Sequence, residues 1–169
     1  MASNQRERCS DFILPNRSHL MKNYEKDEIY EKFHSWIGDS EESIWTEYST
    51  QLVAKSVLID FKDQQWERLE QEILQKPEHW QQRCAVSLGE DRTEYAIKLL
   101  KLLLSSSRYK DVKIIAIYEL DWAEVPVEKK YVPFIKEIID AMPIDEIEPE
   151  LNSLLAKAEA AEKQYKRNI

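Results

Sequence analysis

Apolar residues return at spacings of three and four along most of this chain, with charged residues filling the gaps. That period is the helical one, because positions i, i+3, i+4 and i+7 share one face of an α-helix. Residues 1–17 lack the pattern and hold Pro15-Asn16, which predicts a tail or short cap before a single all-α domain over 18–169. A first helix is expected from Ser18 to Ile37, with Leu20, Tyr24, Tyr30, Phe33 and Ile37 among its apolar positions and Gly38 as its stop. Asp39 with Glu42 reads as a capping box opening a second helix that carries Ile44, Trp45, Tyr48 and Leu52. Val57-Leu58-Ile59 ends that helix, and its β-branched residues would suit a short strand without an obvious mate. Asp63 is placed to cap a third helix with Trp66, Leu69, Ile73 and Leu74, stopped by Pro77.

The fourth helix begins near Pro77 and carries Trp80, Cys84, Ala85 and Leu88 up to Gly89, followed by a tight Gly89-Glu90-Asp91-Arg92 link. Thr93 caps a fifth helix, apolar over a wide arc from Tyr95 to Leu104 and broken by Ser105-Ser106-Ser107. A sixth spans Tyr109 to Leu120, and a longer link, Asp121 to Glu128, holds Pro126. The seventh runs from Lys130 to Met142 with Pro133 in its first turn, and Pro143 ends it. The last helix starts near Ile147, has Pro149 in its first turn and reaches Lys166.

The fourth and sixth helices match each other. Trp80, Cys84 and Leu88 correspond to Val112, Ala116 and Leu120 at an offset of 32 (112 − 80). The fifth and seventh match as Tyr95, Ala96, Leu99, Leu102 and Leu103 against Tyr131, Val132, Ile135, Ile138 and Ile139, at an offset of 36 (131 − 95). The difference places an insertion in the Asp121–Glu128 link. Two tandem helix hairpins of about 35 residues result, a length typical of helical repeat arrays. The run Asp111 to Leu120 resembles the first helix of a HEAT-like repeat: apolar Val112, basic Lys113, Ala116, then Leu120. Trp80 to Gly89 resembles it more loosely, with Gln81 in the basic place. Over residues 77–142 the chain is thus similar to HEAT-like proteins. The resemblance implies antiparallel hairpins stacked as a short right-handed array, with 18–76 and 144–169 as helical caps.

Composition agrees with helices. Among 169 residues there are only 2 Gly and 6 Pro, which points to helices and away from a turn-rich strand fold, while 43% hydrophobic and 33% charged residues suit a globular chain and argue against disorder. No stretch approaches the roughly 18 uncharged apolar residues of a membrane span. The N-terminus lacks a signal-peptide core, position 2 is not Gly, and no C-terminal Cys box occurs, so a cytoplasmic protein is expected. Cys9 in the tail and Cys84 on an apolar helix face predict no disulfide. The net charge of −8 repels phosphate and anionic lipid, which argues against nucleic-acid or membrane partners and would attract a basic one; it equally serves solubility.

Catalytic signatures are missing. Two distant glycines exclude a phosphate loop or a nucleophile elbow. Cys84 and His79 do not share a helix face, so Cys84 reads as a small core residue. Glu31-x-x-His34 is a single copy of a pattern that di-iron sites need twice, so no metal or cofactor is expected. Acidic residues gather at Glu41, Glu42 and Glu47, at Glu90 and Asp91, around the inserted link, and around Pro143. Trp122, between Asp121 and Glu124, is either an interface anchor flanked by charge or a lid folded over the hairpin. The expected partner-binding residues are Asp121, Trp122, Glu124 and Tyr131, then Glu90, Asp91 and Asp140.

In size, charge and helix pattern the chain resembles the small acidic all-α immunity proteins of bacterial toxin–immunity systems, including contact-dependent inhibition. That resemblance implies a non-enzymatic protein that occludes a basic nuclease-type toxin domain in stoichiometric complex. A helical-repeat scaffold for a protein or peptide would present a similar surface. An enzyme on such a scaffold is the third reading, weakened because Lys98, Lys101 and Lys136 are opposed by Glu94, Glu137 and Asp140.

Overall fold

A computed structural model describes residues 27–38 and 40–165. The expected tail, the Ser18–Lys26 part of the first helix, Cys9, Asp39 and the Lys166 helix end lie outside these residues. The described chain is all-helical, without a strand: α1 (Glu28–Ile37), α2 (Glu47–Ser56), α3 (Asp63–Glu72), α4 (Glu78–Asp91), α5 (Glu94–Ser106), α6 (Lys110–Trp122), α7 (Val132–Asp140) and α8 (Pro149–Tyr165). Short 3₁₀ turns occupy Leu58–Asp60, Ile73–Gln75, Lys129–Tyr131 and Ile144–Glu146.

The helix starts follow capping chemistry. Asp27 accepts the Tyr30 N–H at 3.0 Å to open α1, and Gly38, at φ 82°, closes it. Thr93 caps α5 through the Ala96 N–H, as expected. The start of α2 differs from expectation. It opens at Thr46 with a Thr46–Ser49 capping box, not at Asp39 with Glu42. The cause lies in α4. The buried Arg83 guanidinium donates to the carbonyls of Ile37, Ser40, Glu41 and Ser43. A helix begun at Asp39 would need the Ser40, Glu41 and Ser43 carbonyls for its own i→i+4 bonds. Ile44 and Tyr48, expected on a seam, are consequently 88% and 71% exposed.

Three other expectations are corrected. Val57-Leu58-Ile59 is no strand: it runs into a 3₁₀ turn that buries Val57 and Leu58 and leaves Ile59 exposed. Gly89 does not end α4. It sits inside the helix, buried, and the Glu119 side chain of α6 lies against it; a Cβ there would stand 1.8 Å from Glu119 Oε2. The glycine therefore serves close helix approach. Arg92, at φ 58°, makes the left-handed cap, and its N–H donates to the Leu88 carbonyl. Asp63 is the first helical residue of α3, beside the cap Lys62, where its charge suits the helix N-terminus.

The repeat-matched residues share one core. Trp80, Cys84 and Leu88 of α4 and Val112, Ala116 and Leu120 of α6 are all buried. Cys84 and Ala116 keep that α4–α6 face slim. Helices α2, α4, α6 and α8 pack in succession, and α5 and α7 lie against this row. Ion pairs bind the second row: Lys98 to Glu70 of α3 at 2.7 Å, and Lys101 to Glu128 at 2.8 Å. Gln81, in the place of the basic repeat residue, is buried and bridges the Lys76 carbonyl to the Ser107 hydroxyl. At the α1 end, Phe33 meets Trp80 edge-on at 5.7 Å and Phe61 at 5.2 Å. Beside them the Tyr30 hydroxyl donates to Glu72, and the Arg68 guanidinium lies 4.0 Å from the Tyr30 ring while pairing with Glu72 and Glu31. No helix among the described residues is long and apolar enough to cross a membrane.

Candidate partner-binding site

An open groove of about 580 Å³ lies where the 3₁₀ turn after α2, the start of α3 and the α4–α5 link converge. Its floor is aromatic. Phe61 meets Trp66 edge-on at 5.0 Å, and the Tyr95 ring stacks on Trp66 at 5.5 Å with planes 6° apart. Trp66 is buried and covers one side of the Tyr95 ring, while Tyr95 itself is 43% exposed and lines the open groove. The Tyr95 hydroxyl donates to Asp63. That hydrogen bond, then the charges of Asp63, Glu67 and Glu94, hold the hydroxyl above its ordinary value. Exposed Ile59 supplies an apolar wall.

The rim is acidic. Glu90, Asp91 and Glu94 line the groove, and Lys55 is the single cation among the described lining residues. Lys55 reaches Glu90 at 3.4 Å with a largely exposed side chain, a weak surface pair. Asp91 accepts from the backbone and hydroxyl of Thr93, which fixes its orientation. Behind the rim, the carboxyl of Glu119 on Gly89 is pushed up to about 7, chiefly by burial, with Glu90 adding to the shift and Arg92 opposing it.

Of the seven residues expected to bind a partner, the structure brings Glu90 and Asp91 into this groove. The other five lie elsewhere. Asp121 is mostly buried and ties α6 to α8: its carboxylate accepts from Ser153 Oγ at 2.7 Å and Lys157 Nζ at 2.6 Å. Trp122 is the last residue of α6, not part of the link. It stacks on Tyr118 at 6.1 Å and stays 54% exposed, so it is not closed down as a lid. Glu124, at φ 54°, borders a separate hollow with Pro126 and Lys157. Tyr131 is half-buried near Lys101 and Lys130, and Asp140 is exposed at the end of α7.

The aromatic half of the groove was not legible as a site. Trp66 and Tyr95 fall on apolar helix positions and read as core. The usable signal was local: Tyr95 stands in the first turn of α5, directly after Glu94 and two residues past the Thr93 cap. A second hollow, lined by Trp36, Ile44, Trp45 and Tyr48, carries no charged lining residue among those described. Cys84 is fully buried, which pushes its thiol up and removes it as a nucleophile. Glu31 and His34 turn to different cations, Arg68 and Lys76, and no group of His, Cys, Asp or Glu among the described residues converges as a metal site would.

Neither a protein-family model, nor a curated protein, nor a solved structure matches this chain.

Proposed function

We propose that this chain is an immunity protein that binds a basic, nuclease-type toxin domain in the cytoplasm and occludes its active site, without catalysis of its own. One observation carries the reading: an aromatic groove rimmed by Glu90, Asp91 and Glu94 on a chain of net charge −8. Aromatic anchors inside a charged rim are what tight protein interfaces use, and like-signed charge steers an oppositely charged partner toward them. The succession of α2, α4, α6 and α8, with α5 and α7 alongside, supports a HEAT-like array as the frame.

The test is co-expression. The C-terminal domain encoded by the gene immediately upstream is expressed with and without this protein, and survival is counted. Toxicity relieved through a stable complex is the expected result; a harmless neighbour, or killing that persists at good expression, overturns the reading. The uncharged Trp36–Tyr48 hollow favours a second reading, a scaffold for a protein or peptide partner, because it offers a surface of different chemistry. Such a scaffold would be found with a partner in pull-downs and would protect against no toxin.

A further inference from the structure

We infer that the α2–α3–α5 groove is a docking site for an arginine side chain of a basic protein segment, with the free side of Tyr95 as the stacking platform and the Glu90, Asp91 and Glu94 carboxylates as the guanidinium's partners. The inference rests on the groove being the partner-facing surface, as proposed above, and not on the partner being a toxin.

Three features point to a planar cation. The Tyr95 ring is held on both counts that matter: its inner side by Trp66, with planes 6° apart, and its hydroxyl by Asp63. A fixed ring with one open side binds a flat group without losing freedom of its own. Second, the groove is acidic: Asp63, Glu67 and Glu94 act on the Tyr95 hydroxyl, and Glu90, Asp91 and Glu94 line the groove against a single weakly paired lining cation, Lys55. Third, the protein already makes this arrangement internally. Arg68 lies over the Tyr30 ring at 4.0 Å with Glu31 and Glu72 as its carboxylate partners. Arginine suits such a place better than lysine, because its guanidinium stacks on a ring, pairs with carboxylates in two-pronged fashion and is weakly hydrated. The same acids would repel a nucleic-acid phosphate.

The experiment uses the full chain and a blocked peptide, acetyl-Gly-Arg-Gly-Arg-Gly-amide, with lysine and citrulline counterparts. Binding is followed by nuclear magnetic resonance at the Tyr95 ring and the Trp66 indole. The arginine peptide is expected to shift both and to bind at least about threefold more tightly than the lysine peptide, with citrulline inactive. Tyr95→Leu should erase the preference for arginine. Because that change also uncovers Trp66, Glu94→Gln serves as a second variant and should weaken the arginine peptide while leaving the ring stack intact. Equal binding of arginine and lysine peptides, or shifts spread evenly over acidic surfaces away from the groove, overturns the inference. Survival in the co-expression test with no arginine preference removes this site and leaves the immunity reading standing. Arginine preference without protection does the reverse.

Discussion

Glu119 is a carboxylic acid placed where water reaches it poorly, against the bare Cα of Gly89 and beside Glu90. Its folded-state value, about 7, lies above the ordinary 4.5, because burial outweighs the nearby Arg92. A raised acid binds its proton more tightly in the folded chain than in the unfolded one. Stability from this group is therefore greatest at and below the ordinary carboxylate range and is lost as pH rises through about 7. Allowing for partial exposure, the loss amounts to about 2 kcal/mol. Glu72 and Glu128 act outside this window. Burial opposes their ionisation, but hydrogen bonds, from Arg68 and Tyr30 to Glu72 and from Lys101 to Glu128, hold both below the usual range, so they weaken the fold only in stronger acid. Urea unfolding near pH 5 and near pH 8 should show this difference in the native chain, and Glu119→Gln should flatten it by about 2 kcal/mol. An unchanged difference in the variant would mean that Glu119 ionises freely.

At the scale of elements, the α1–α2 connection depends on a residue far away in sequence. Arg83 brings a charge into the protein and satisfies it with four backbone carbonyls, which are in turn satisfied by it. Arg83→Met keeps much of the bulk and strands those carbonyls. The expected cost is about 2 kcal/mol or more in thermal or urea unfolding, with faster amide exchange in α2 than in α6. A change within about 0.5 kcal/mol would show that water replaces the guanidinium without loss. The sequence suggested a capping box at Asp39 and Glu42 because that motif is local and common. What decided against it was a long-range hydrogen-bond donor. Thr46 and Ser49, an equally good capping pair seven residues later, then took the role.

At the scale of the molecule, the proposed partner capture should carry an electrostatic signature. A net charge of −8 with an acidic groove rim raises the encounter rate of a basic domain at low salt. The Debye length shrinks from about 30 Å at 0.01 M to about 8 Å at 0.15 M salt, so the association rate should fall steeply over that range while the dissociation rate moves little. Stopped-flow mixing with the toxin domain measures both. An association rate indifferent to salt would leave the aromatic floor as the only support for the groove.

The apolar period, the caps at Thr93 and Gly38 and the prolines at 77, 143 and 149 determined by themselves that this chain folds as successive helices and very nearly where most of them run. They also determined much of its core, since Trp80, Cys84, Leu88, Val112, Ala116 and Leu120 are buried as their spacing required. These properties are local: a helix face and a cap depend on residues within a turn or two of one another. Only the tertiary structure decided that Gly89 is a contact point with Glu119, that Arg83 holds a distant loop, that Asp121 is occupied by Lys157, and that Tyr95 stacks on Trp66 across two helices. Each is a pairing between residues tens of positions apart. Sequence periodicity says which side of a helix faces inward, but which neighbour it meets there is set by how the helices pack.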